Sequence, residues 1–291
     1  MKKIMVTGAT GKLGNQVLQL LVKKARAESL SAIARDTSKL ETFKKQGVNV
    51  IQADYDEIES LIKAFKTIDT LYFVSASDIA KRQKQHENVV QAAKEAGVKH
   101  VVYTSFQRKN ETESSPIVAI AAAHLLTEKL LKESGMTYTI LKHALYSDVI
   151  PMFLGEDVLE KGIIYQSAGD GKVSFTSRSD MAEAAVIVLT EKGHENKTYE
   201  ISDDKSYSYS DVAEILSNIS KKQIAYVSPT TEEFQKALSS AGAPNEIIGM
   251  LAMLNEGIKQ GEFDIPDTNL EKLLGRKPEN LSEFLKKVYS N

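Results

Sequence analysis

The feature that most constrains this chain is its first turn, Lys3-Ile4-Met5-Val6-Thr7-Gly8-Ala9-Thr10-Gly11-Lys12-Leu13-Gly14-Asn15. A short apolar run ends in three glycines spaced GxxGxxG, and an amphipathic stretch from Gln16 to Lys24 follows, which reads as strand, tight turn and helix. Glycine admits positive φ and lets a backbone approach another group closely. The first N–H groups of a helix are unpaired and carry the positive end of its dipole. A pyrophosphate suits that position, although a glycine-rich turn can also serve only to join strand to helix. Placement directly between a strand-like run and a helix favours a dinucleotide site built from Gly8, Thr10, Gly11, Lys12 and Leu13.

Composition narrows the class. The 291 residues suffice for one large or two smaller domains, and a net charge of -2 provides no field for nucleic acid or a membrane surface. The chain has no cysteine, so disulfides and thiolate metal sites are excluded, and no metal-ligand spacing is present. It opens on a strand with no signal-like apolar region, and no apolar run approaches the ~20 residues of a membrane span. The expected place is the cytoplasm.

The remaining first half repeats the opening pattern. Leu30 to Asp36 reads as a second strand whose exit, in a βαβ nucleotide site, lies beside the adenosine ribose; Arg35 there suits a 2′-phosphate, with Lys39 as a second charge and Asp36 as the complication. A solvated Arg35 is the plainer alternative. Asn49 to Tyr55 is a third strand, followed by a helix from Glu57 to Phe65. Asp54 and Tyr55 either meet an adenine or, for Asp54, cap that helix. Thr70 to Ser77 is a fourth strand with Ser75, Ala76 and Ser77 at the carboxyl end, where open α/β sheets bind ligands. A helix from Gln83 to Ala96 carries His86, read as a surface or capping residue. His100 to Ser105 is a fifth strand with Ser105 facing the same crevice, and 106–115 is a polar loop, either a lid or a solvated connection. A helix from near Pro116 to Glu133 leads to a sixth strand, Tyr138–Lys142, then His143 and Tyr146. This alternation predicts a doubly wound parallel sheet of the Rossmann type.

Several motifs run the length of the chain: Thr7-Gly8-Ala9-Thr10-Gly11, Gln52-Ala53-Asp54-Tyr55, Asn88-Val89-Val90 through Lys99, Tyr103-Thr104-Ser105, Thr127-Glu128-Lys129, Ala144-Leu145-Tyr146, Ala168-Gly169-Asp170-Gly171 and Gly193 to Tyr199. Together they resemble the NmrA-like branch of atypical short-chain dehydrogenases, nearest to bacterial type 2 NADPH:quinone oxidoreductases and triphenylmethane dye reductases. The resemblance implies NADPH, with no flavin and no metal, and a quinone-like acceptor. It also implies a cofactor domain over residues 1–150, with residues 151–291 completing the sheet and forming a smaller lid.

One departure matters. The superfamily's Tyr-x-x-x-Lys pair falls on Ile120 and His124, and the chain's own match, Tyr138 with Lys142, lies on the predicted sixth strand. Without the usual general acid, hydride transfer to a quinone is more natural than ketone reduction, because the product anion is a weak base. His124 and Tyr146 are the candidate catalytic residues, with a core or interface histidine and aromatic core packing as their alternatives, and the resemblance implies His143 as a further cofactor contact. Phe106 and Tyr146 offer apolar faces to a flat acceptor. The rival is a regulator that binds the dinucleotide without turnover. A monomer or homodimer is expected.

In the second half, Gly162–Tyr165 and Lys172–Thr176 read as short strands around the Gly169-Asp170-Gly171 turn. A helix to Glu191 is capped by Ser179 or Asp180, Lys197–Ser202 is a strand, Ser210 caps a helix to Ile219, and the chain from Thr230 on is mostly helical.

Overall fold

The computed structural model describes residues 2–155 and 157–290. The first half alternates as expected: β1 (Ile4–Val6), α1 (Lys12–Lys24), β2 (Leu30–Ala34), α2 (Glu41–Lys45), β3 (Asn49–Gln52), α3 (Ile58–Phe65), β4 (Thr70–Phe73), α4 (Ile79–Glu95), β5 (His100–Phe106), α5 (Val118–Glu133) and β6 (Thr137–His143). Helix α4 starts before the expected Gln83 because the Asp78 carboxylate accepts from the N–H groups of Ala80 and Lys81 and caps it there. Tyr138 and Lys142 both lie on β6, so that pair is not a helical one.

The second half comprises α6 (Ile150–Leu154), α7 (Val158–Lys161), β7 (Ile163–Tyr165), β8 (Lys172–Val173), α8 (Arg178–Thr190) and β9 (Lys197–Ile201). It continues through β10 (Tyr207–Ser208), α9 (Tyr209–Ser220), β11 (Ala225–Val227), α10 (Thr231–Ser240), α11 (Asn245–Lys259), α12 (Asn269–Leu274) and α13 (Leu281–Tyr289).

Three local expectations are corrected. Strands β7 and β8 do not pair across the Gly169 turn: β7 pairs with β11 and β8 with β10. The turn instead lies against α11, so closely that a Cβ on Gly171 would stand 2.0 Å from the Ile258 carbonyl oxygen. Helix α8 is capped by Ser177, not by Ser179 or Asp180, and α9 by Ser208 in a capping box with Asp211, not by Ser210.

The main sheet has the order β3-β2-β1-β4-β5-β6-β9 and every pairing in it is parallel. Strands such as β1, β2 and β4 are buried throughout, as expected when helices cover both faces. On one face Leu13, Val17 and Leu21 of α1 meet Ala182, Val186 and Leu189 of α8. On the other, Leu61, Phe65, Val89, Ala93 and Leu131 pack over Phe73 and Tyr103. A third core, with Ile117, Phe175, Tyr209, Phe263 and Leu285, joins the second half to the carboxyl edge of β5 and β6. Each large apolar side chain buried in these cores contributes about 1.5–3 kcal/mol. The strand order reverses between β1 and β4, and that switch point places the site.

Candidate functional site

At the switch point the chain leaves β1 through Thr7-Gly8-Ala9-Thr10-Gly11. Gly8 takes φ +59, and a Cβ there would fall 2.9 Å from the Val74 Cβ. A Cβ on Gly14 would fall 2.4 Å from the Gly8 carbonyl oxygen, so this helix must carry glycine where it crosses the turn. Gly11 differs: its backbone is extended at φ -84, and a Cβ would meet only the Gly8 oxygen at 3.3 Å. Two glycines therefore answer the protein's own packing, while the third keeps its remaining side open. Helix α1 begins with no side-chain cap and no acidic residue in its first turn, which leaves its N–H groups and dipole available to an anion.

The cavity in front of this turn measures about 470 Å³. It gathers Gly8, Thr10, Gly11, Lys12, Leu13, Arg35, Asp54, Tyr55, Ser75, Ala76, Ser77 and Tyr146 from five loops, twelve of the fifteen residues singled out in the sequence. Arg35 is exposed at its mouth. Asp36, the complication beside it, has its carboxylate engaged by the Ser38 N–H at 3.0 Å and the Ser38 hydroxyl at 2.6 Å, and it does not line the cavity. Asp54 caps no helix: its Oδ1 accepts from the Asp56 N–H at 3.1 Å in an Asx turn ahead of α3. Tyr55 lines the cavity while its hydroxyl donates inward to the Val74 carbonyl at 2.8 Å, and burial raises its pKa far above the usual phenol.

The other three residues lie elsewhere. The Ser105 hydroxyl donates to Glu128, which also receives Arg108 Nη1 at 3.0 Å; with Glu262 accepting from the N–H groups of Lys109 and Asn110, this anchors the 106–115 loop to α5 and the second half. His143 is 2% exposed at the end of β6, and neither ring nitrogen has a hydrogen-bond partner among the described residues. Burial lowers its pKa to about 3. His124 sits under β5 with Nδ1 2.7 Å from the Tyr103 hydroxyl and its ring 5.9 Å from that of Phe106, which in turn packs on Phe263.

His86 is not the surface residue expected. It is 1% exposed, its Nε2 accepts from the Ala76 N–H at 3.0 Å, and its Nδ1 is 2.8 Å from the Thr127 hydroxyl. The first contact fixes the His86 tautomer. With Nε2 accepting, Nδ1 must donate to Thr127, whose hydroxyl donates onward to the Ala123 carbonyl at 2.6 Å. The Tyr103 hydroxyl lies against both Thr127 and His124 Nδ1, the latter at 2.7 Å; when it donates to His124, the His124 proton is on Nε2. Burial first, and then the positive charge of Arg82, hold His124 well below the usual imidazole range, so the ring is neutral at physiological pH.

Sequence reasoning missed Arg178. From the start of α8 it lines the cavity, its guanidinium lies 4.6 Å above the Tyr146 ring, and Asp148 holds Nη1 at 3.0 Å. Its partner is 30 residues upstream, so no local spacing signals the pair. Among the described residues no cluster of three His, Cys, Asp or Glu side chains forms a metal site, and no helix is long and apolar enough to cross a membrane.

A doubly wound parallel sheet whose glycine-rich first turn opens into a crevice at the switch point defines a Rossmann-type α/β protein. The chain belongs to the NmrA-like family, whose model matches residues 1–285. Quinone oxidoreductase 2 of Escherichia coli is 36% identical over 287 residues, 99% of each chain. The NADPH complex of that quinone oxidoreductase superimposes with a TM-score of 0.92 over 98% of this chain and 99% of the other. The triphenylmethane reductase of Citrobacter sp. is 37% identical with a TM-score of 0.91, covering 99% of this chain and 100% of that one.

Proposed function

We propose that this protein is an NADPH-dependent reductase that passes hydride to quinones or similar flat conjugated acceptors. The observation that carries the reading is the crevice: an uncapped helix N-terminus behind Gly11, and Arg35 at the β2 exit with the neighbouring Asp36 carboxylate turned to Ser38. Kinship with reductases across the full length supports it and disfavours the regulatory alternative.

These residues fit the cofactor. The backbone N–H groups at Lys12 and Leu13 would hold the pyrophosphate and Arg35 the 2′-phosphate. Asp54 and Tyr55 would border the adenine, and Ser75, Ala76 and Ser77 the adjoining ribose. Tyr146, braced by Arg178, would border the nicotinamide. NADPH, when bound, supplies the hydride. On the acceptor side Phe106 offers an apolar face, and neutral His124 offers its Nε2–H as a hydrogen-bond donor to an acceptor oxygen; an imidazolium is not available there. The reading includes a flavin-free and metal-free cytoplasmic protein, monomer or homodimer, with residues 1–150 holding cofactor and 151–291 shaping the acceptor side.

Following NADPH absorbance with a quinone panel and a dye panel tests this. Acceptor-dependent oxidation is expected in both; tight NADPH binding with no oxidation by either panel overturns the enzyme reading.

A further inference from the structure

Arg82, in the first turn of α4, is half-buried, and its Nε donates to the Ala76 carbonyl at 2.6 Å. Among the described residues its terminal nitrogens have no hydrogen-bond partner and no carboxylate forms an ion pair with it. The cations near the ends of β5 and β6 are neutralised: Arg108 by Glu128 and Glu111, Arg178 by Asp148, Lys142 by Glu111 and Glu200. The neighbouring Asp78 carboxylate caps α4 and acts on Arg82 only through space, without a direct ion pair. Arg82 is tied to the strand end that His86 also holds, and the His86 ring lies 6.0 Å from that of His124. The charge is felt there: after burial, Arg82 is the next cause that lowers both His86 and His124, and it also acts on Tyr103 and Tyr146. A cation half out of water with no ion-paired partner is costly unless an anion comes to it.

We propose that the Arg82 guanidinium complements the negative charge an acceptor gains on reduction, so that the site favours acceptors that become anions over acceptors that are already cations. The inference rests on the reductase reading. A neutral quinone that takes up hydride from NADPH becomes the hydroquinone monoanion, NADP⁺ is left, and one proton from water completes the hydroquinone. A triarylmethyl dye cation that takes up hydride becomes the neutral leuco dye and needs no proton. Arg82 assists the first reaction by preorganised electrostatics and opposes binding in the second.

The test compares the full-length wild type with Arg82→Gln and Arg82→Lys, using menadione and malachite green as acceptors with NADPH. For Arg82→Gln, kcat/KM with menadione is expected to fall about 10- to 150-fold, the range for losing a hydrogen bond to a charged group, while kcat/KM with malachite green holds or rises. Arg82→Lys should recover most of the menadione rate. A readout without turnover is fluorescence titration in the absence of NADPH with 2-hydroxy-1,4-naphthoquinone, an anion at neutral pH, and its neutral 2-methoxy analogue. The wild type should prefer the anion and Arg82→Gln should lose that preference. Equal losses for both acceptors, or an anion preference unchanged in Arg82→Gln, overturn the proposal. Should the wild type reduce neither acceptor, the reductase reading fails on its own, and the naphthoquinone titration still decides whether Arg82 selects an anion.

Discussion

The two sides of the crevice are built by different means. On the β1–β2 side the site is mostly backbone: a left-handed glycine and an uncapped helix start a few residues apart, joined by an exposed arginine at the end of the next strand. On the β4–β6 side it is a buried network, in which the Ala76 N–H from the loop after β4 meets the side chains of His86, Tyr103, His124 and Thr127 from α4, β5 and α5. The first side needs little beyond local geometry to work. The second exists only when the elements have packed, and its polar groups have no water to fall back on.

Glycine substitutions probe the first side hardest. Gly14→Ala places a methyl against the Gly8 carbonyl and is expected to cost about 3 kcal/mol or more in a urea titration, whereas Gly11→Ala is expected to keep stability within about 1 kcal/mol and lose NADPH affinity. Similar stability losses in the two variants would erase the distinction between packing glycine and ligand glycine.

Acid probes the second side. His86 and His143 are lowered to about 3 and His100 to about 4, each by burial above all. Between those values and the ordinary 6.5 the unfolded chain binds protons that the native state does not, so stability is complete above about pH 6.5 and falls as the pH drops toward 3 to 4. At pH 5 each such histidine costs up to about 2 kcal/mol, and the urea midpoint should drop steeply between pH 7 and 5. A midpoint constant over that range would mean these imidazoles protonate in place.

Arg35→Asp asks whether the exposed arginine reads the 2′-phosphate. NADPH affinity should fall about 10- to 150-fold with NADH affinity little changed, and equal losses for both would remove Arg35 from that role. The smallest expected effect belongs to His143→Leu. Removing two unpartnered buried nitrogens should raise stability by about 1 kcal/mol, and a simultaneous loss of NADPH affinity, read by titration, would return His143 to the cofactor site.

Much of this protein is legible in its sequence. The βα alternation carries the sheet because parallel strands covered on both faces must be apolar throughout and their crossovers amphipathic. The GxxGxxG turn carries the cofactor side because positive φ and close approach are properties of glycine itself. Alternation along β5 misled for Ser105, which donates to Glu128 on α5, because a strand's parity identifies a face but not what covers it. Helix caps were misplaced by two or three residues at α8 and by two at α9, where serines recur at alternate positions and only the chain's entry angle chooses among them.

The sequence by itself therefore determined the doubly wound sheet, the turn and the residues that reach the cavity from loops adjoining strand ends. Those features depend on interactions within a few residues or on a periodicity of burial. Tertiary structure alone decided that His86 is core, that the Tyr103 hydroxyl meets His124 Nδ1, that Arg178 braces Tyr146 and that Arg82 forms no ion pair with a carboxylate among the described residues. Each of these depends on which distant side chain fills the space opposite, and no spacing along the chain encodes that.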